Sequence, residues 1–181
     1  MNKNYDSAFD QVIKSEGGYT NDPKDPGGMT NLGCTAAVWA AYKGKNIADV
    51  TEAEMKALTP ADVKPIYKMN YWDKVKGDDL PDGVDYCVFD CAINSGVSRA
   101  AKFLQEITGV PADGDIGVHT LAAVKNFNAK DLVNRYSTKR LEYLQTLPTF
   151  SHFGNGWTNR VNSVHQLATA MTDGSSSANI A

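Results

Sequence analysis

The sequence predicts a mainly α-helical, two-lobed protein with one small β or loop patch near its start. Three observations predict it. Apolar residues recur at helical spacing through most of the 181 residues. Gly, Pro, Asn and Asp crowd residues 20–34, where a helix cannot propagate. Capping residues and glycines divide the remainder into helix-length segments. The length suits one domain, or one domain with two lobes, and it suffices for a core without disulfides or metals.

The elements follow in order. Phe9, Val12 and Ile13 form one stripe of a helix from Tyr5 to Ser15, which Gly17-Gly18 stops. Residues 20–34 suit a small hairpin or irregular sheet. Thr35 to Tyr42 is a short helix carrying Trp39. Thr51 to Glu54 reads as a capping box for a helix ending near Leu58. Thr59-Pro60 opens another helix toward Tyr71-Trp72, with Pro65 placed to kink or split it. Val84 to Asn94 is apolar except near Asp85 and Asp90, as in a buried central helix. Ser98 is expected to cap a helix that Gly109 ends. Residues 110–117 form a turn, and Val118 to Phe127 and Ala129 to Leu147 are helical. A loop through Pro148 and Gly156 precedes a last helix from Trp157 to Met171, and residues 172–181 are expected to form a flexible tail.

Composition excludes several functions. The net charge of −3 argues against a nucleic-acid binder and against docking on an anionic membrane by charge. No apolar run reaches transmembrane length, and the start carries no signal-peptide pattern. Cys34, Cys87 and Cys91 read as reduced thiols, with the last two as buried structural residues on one helix face. His119, His152 and His165 are scattered and form no zinc motif. Asp113-Gly114-Asp115 lacks the remaining ligands of a calcium loop. The expectation is therefore an enzyme without metal or cofactor.

The chemistry points to the first loop. Glu16 closes the first helix, where the helix dipole and partial burial each raise a carboxyl's pKa, as a general acid requires. Nine residues on, Asp25 sits in a solvated loop, and Thr30 follows five later. Two carboxyls around one bond suffice to hydrolyse a glycoside, one as proton donor and one activating water or stabilising the transition state. Asp22 is the alternative second acid, since both aspartates precede proline and suit an Asx turn. Tyr19, Tyr71, Trp72 and Asn94 are candidate substrate-binding residues, the aromatic rings by stacking and the amide by hydrogen bonding.

These residues resemble a known family. Glu16-Gly17-Gly18-Tyr19, Asp25-Pro26-Gly27-Gly28-Met29-Thr30 and Gly33 are similar to the opening of the glycoside hydrolase family 108 muramidases, which are phage endolysins and related bacterial enzymes. Tyr71-Trp72, Gly77 to Asp85 and Val88 to Gly96 continue the likeness. Residues 99–124 resemble the peptidoglycan-binding half that accompanies it, so the whole covers roughly residues 5–170. The resemblance implies an α+β lysozyme-like fold with Glu16, Asp25 and Thr30 as the catalytic set. It implies cleavage of the β-1,4 bond between N-acetylmuramic acid and N-acetylglucosamine. Lytic transglycosylase chemistry and a catalytically silent binding module are the rivals. The expected division is a catalytic lobe at 1–83, a helical peptidoglycan-binding lobe at 84–171, and the tail at 172–181. The expected partner is the glycan strand, met by a monomer made in the cytoplasm and released to the periplasm, with a holin-like pore as the route. Its use is cell lysis or wall remodelling for secretion.

Overall fold

In the computed structural model, which describes residues 4–174, α-helices dominate and one two-stranded hairpin interrupts them. The helices are α1 (Tyr5–Lys14), α2 (Ala36–Lys43), α3 (Glu52–Lys56), α4 (Pro60–Tyr67), α5 (Val84–Ser95), α6 (Val97–Thr108), α7 (Val118–Val124), α8 (Ala129–Gln145) and α9 (Phe150–Thr172). Strands β1 (Thr30–Asn31) and β2 (Cys34–Thr35) pair antiparallel, with Thr30 opposite Thr35. The chain divides into two compact units. One runs from Phe9 to Asn70; the other joins the residues up to Ala8 with those from Tyr71 onward.

In the Phe9–Asn70 unit, local chemistry fixes each boundary. The Thr35 hydroxyl caps α2 at Val38 N (3.2 Å), and Gly44, in the left-handed region at φ 66°, ends it. Thr51 accepts from Glu54 N (3.1 Å) at the start of α3. The Glu54 carboxylate is held by Trp39 Nε1 (2.7 Å) and Lys45 Nζ (2.6 Å), contacts that hold it below the usual carboxylate range. Thr59 and Asp62 form a capping box at α4: the Asp62 carboxylate accepts from Thr59 N (2.8 Å). Pro65 sits inside α4 without ending it, and the following turn, Lys68–Trp72, widens to a π-helix.

The other unit is built around α5, most of whose side chains are buried. It packs against α6, α8 and α9. Trp72 lies between Tyr5 and Phe89, each ring centroid 5.3 Å away, and its Nε1 donates to Asp78 (2.7 Å). Asp85 accepts from Gly83 N (2.8 Å), Tyr86 N (2.7 Å) and Asn4 Nδ2 (2.8 Å), and burial pushes its carboxyl up to about 6. Asp90 is buried and meets two arginines. Arg140 Nη1 from α8 donates at 2.7 Å and Arg160 Nη2 from α9 at 2.8 Å. Cys87 and Cys91 are buried free thiols, and burial pushes the Cys87 thiol up to about 12.

Three expected boundaries moved. Ser98 lies inside α6 rather than capping it, because Gly96 at φ 89° turns the chain directly from α5 into α6. The helix expected to run to Phe127 ends at Val124. The last helix starts at Phe150 rather than Trp157 and runs through Gly154 and Gly156. Gly154 is buried under the Phe150 ring, where a β-carbon would come within 2.8 Å of a ring atom, so packing overrides its weak helix propensity. That helix reaches Thr172; residues 175–181 of the expected tail lie outside the described residues.

Candidate active site

Glu16 stands two residues beyond α1, and its backbone N–H closes onto Ile13 O (3.2 Å). The chain then leaves in extended form, and Thr20 and Thr30 exchange two backbone hydrogen bonds of 2.8 and 2.9 Å. That bridge closes the loop 21–29 at its neck. Within the loop, Asp22 Oδ1 accepts from Lys24 N and Asp25 Oδ1 from Gly27 N, each at 2.8 Å. Both aspartates therefore form Asx turns, and both are exposed. The Thr30 hydroxyl, half-buried, makes one long contact to Gly28 O (3.4 Å).

The hairpin turn supports Glu16. Leu32 and Gly33 both have positive φ (51° and 72°), the requirement of a two-residue type I′ turn. Three anchors hold this turn. Leu32 N donates to Gly17 O (3.1 Å), Tyr67 Oη donates to Leu32 O (3.1 Å), and Asn31 Nδ2 donates to Met55 O (2.9 Å). Gly33 admits nothing larger. A β-carbon there would sit 2.2 Å from Tyr67 Oη and 2.8 Å from Glu16 Oε2. The Glu16 carboxyl and the Tyr67 hydroxyl thus converge on one point above the Gly33 backbone.

The remaining expected residues fall in different settings. Tyr19 is half-buried, with the Lys56 ammonium 5.0 Å from its ring centroid and its phenol pushed up by burial and by Glu52. Tyr71 is half-buried in the π-helical turn, and Asn94 is exposed near the end of α5. Trp72, at 1% exposure, has its ring and its N–H committed to the core contacts above and presents no open face for a sugar. Asp113 accepts from Gln105 Nε2 (2.7 Å) and Asp115 N (2.9 Å), which orders its own loop. No group of three or more His, Cys, Asp or Glu placed to hold a metal occurs among the described residues. Tyr67 was missed from sequence, since a tyrosine on the apolar stripe of α4 reads as core, and it is also that.

Residues 9–96 match the glycosyl hydrolase 108 family, and residues 99–162 match a predicted peptidoglycan domain. No curated protein matches the chain. Among solved structures, that of Brucella abortus SagA is 46% identical. The match covers 97% of this chain and 98% of that one, at a TM-score of 0.79. The chain belongs to the glycosyl hydrolase 108 family. As a family 108 member with a peptidoglycan domain, it is a glycoside hydrolase that acts on peptidoglycan.

The Gly33 geometry gives a first test. Gly33→Ala is expected to abolish hydrolysis and to lower stability by about 1–2 kcal/mol for the left-handed backbone alone. Gly44→Ala is the control, because Gly44 has φ 66° but open space around its β-carbon position. It should lose comparable stability in a thermal melt and keep its activity. Equal activities for the two variants would detach Gly33 from the site.

Proposed function

We propose that the protein is an N-acetylmuramidase. It would cleave the β-1,4 bond between N-acetylmuramic acid and N-acetylglucosamine by general acid/base hydrolysis. Glu16 protonates the leaving glycosidic oxygen as the bond to the anomeric carbon breaks, and the bonding pair goes to that oxygen. Asp25, in its exposed Asx turn, takes a proton from the attacking water or stabilises the positive charge developing on the sugar. Thr30 orients that water through the lone pairs of its hydroxyl. Tyr19, Tyr71 and Asn94 are the proposed glycan contacts. The observation that carries this reading is the placement of Glu16 over an anchored hairpin turn, next to a loop that is closed at its neck and carries Asp25 and Thr30.

The products decide the reaction type. Digested sacculi should yield fragments with reducing N-acetylmuramic acid ends, read by mass spectrometry. Asp25→Asn should lower the rate by roughly 10²–10⁴, the usual contribution of a positioned acid or base. Anhydro ends together with an active Asp25→Asn variant would assign lytic transglycosylase chemistry instead. An α-anomeric product by NMR is expected, since we assign inversion to a water-activating Asp25.

A further inference from the structure

We propose that the seam between α8 and α9 is a binding site for the N-acetyl groups of the peptidoglycan glycan strand. The two helices pack along one another within the unit that runs from Tyr71 onward. Ser137 and Val161 face the seam with short side chains, and a cavity of about 250 Å³ opens above them. Its floor is Ser137, Val161 and Leu141, the first two buried. Its rim is Asn134 and Thr138 from α8 with Asn162 and His165 from α9. Asn134, Thr138 and Asn162 are exposed and His165 is half-buried, so the mouth opens to solvent. The volume falls below the roughly 300–1,000 Å³ of a drug-sized site. It therefore suits one substituent of a sugar, with the strand itself running outside.

An acetamido group has three parts: a carbonyl that accepts, an N–H that donates and a methyl that is apolar. The seam meets each of them. Asn134 and Asn162 each carry an amide with two donor hydrogens and an acceptor oxygen. His165 Nε2 lies 2.7 Å from Asn134 Oδ1. That oxygen only accepts, so the Asn134 Nδ2 hydrogens are the ones left for a ligand. Thr138 adds a hydroxyl that both donates and accepts. Leu141 and Val161 give the methyl an apolar floor. The Ser137 hydroxyl faces the Cys87 thiol on α5, so it completes the floor rather than meeting the ligand.

Charge separates the glycan from the stem peptides of the same polymer, which carry carboxylates. No lysine, arginine, aspartate or glutamate lines the cavity. Every lysine and arginine of α8 and α9 is already paired with a carboxylate. Lys130 meets Asp173 (3.2 Å), Arg135 meets Asp131 (2.9 Å) and Lys139 meets Glu106 (2.6 Å). Arg140 and Arg160 both meet Asp90. A stem-peptide carboxylate would find no unpaired cation on either helix, and burying it alone is costly. A neutral acetamido group carries no such penalty. All the lining residues except His165 fall within the stretch matched to the peptidoglycan domain.

The test is a titration of the ¹⁵N-labelled full chain with N,N′-diacetylchitobiose, followed at the side-chain amide signals of Asn134 and Asn162. Both signals are expected to shift together along one binding curve. Cellobiose, which has a hydroxyl in place of each acetamido group, should leave them where they are. Asn162→Leu, at an exposed position, should weaken the binding read at Asn134 by about five- to tenfold, the size of one hydrogen bond. Its melt should stay that of wild type, as for most surface changes. Thr138→Leu, also exposed, gives a second variant with the same expected direction. Unmoved amide signals, equal shifts with cellobiose, or the same shifts produced by a free stem peptide overturn the proposal. Unchanged binding by both variants overturns it as well. The titration needs no turnover, so its failure is distinct from failure of the muramidase reading, which the cleavage products decide.

Discussion

Glu16→Gln is expected to lose hydrolysis of purified sacculi by roughly 10²–10⁴-fold in kcat, the range a positioned proton donor contributes. Glutamine keeps the length and shape of the side chain and can still hydrogen-bond beside Tyr67. It has no proton to release to a leaving oxygen at any working pH. The variant should therefore melt within a few degrees of wild type and still sediment with sacculi, while turbidity fails to clear. This pattern differs from that of Gly33→Ala, which should lose activity and stability together. Clearing by Glu16→Gln at the wild-type rate would remove Glu16 from the chemistry. Loss of sacculus binding along with clearing would make it a binding residue rather than a catalytic one.

Asp90→Ala should be the most destabilising single change. Asp90 is a carboxylate at 2% side-chain exposure, and Arg140, at 4%, has it as its charged partner. Removing one member of a buried ion pair leaves an uncompensated charge, at a cost of about 3–5 kcal/mol. For a chain of this size each kcal/mol lowers Tm by roughly 2–4 °C, so a fall on the order of 10 °C is expected in a thermal melt. Asp90→Ala with Arg140→Met should recover most of the loss, because an apolar replacement of a buried pair is often neutral. Arg160, at 21% exposure, can then turn toward water. A single-variant cost below about 1 kcal/mol would mean that the pair is wetter than its burial implies.

Much of this was legible in the sequence, and the failures share a cause. α5 was readable because an apolar run of that length with few polar residues must be buried, and its acids must then be partnered. Thr35 and Thr51 marked helix starts because their hydroxyls accept from backbone amides three residues on, and Thr59 because it pairs with the Asp62 carboxylate, each a local effect. A small hairpin or irregular sheet was expected within residues 20–34 from turn residues alone, and the pairing falls at its end, Thr30 with Thr35 and Asn31 with Cys34. The early start of α9 was hidden because Gly154 and Gly156 read as loop, and the packing of Gly154 under the Phe150 ring leaves no mark in the local sequence. Glu16 stood out as an acid at a helix end followed by a glycine-rich loop. Tyr67 did not, because its meaning lies in where its oxygen ends, 35 residues from Leu32 in the chain. A contact of that separation leaves no local pattern.

The ion cluster around Asp90 also bears on how this protein can be taken apart. The aspartate belongs to the stretch matched to the hydrolase family, whereas both arginines belong to the stretch matched to the peptidoglycan domain. The border between those two matches therefore runs through a shared core. Cutting the gene at residue 97 would strand a charged, apolar helix on one fragment and two orphaned guanidinium groups on the other. The peptidoglycan half is consequently no exchangeable module. Chimeras that trade it between relatives should succeed only when the aspartate and both arginines travel together.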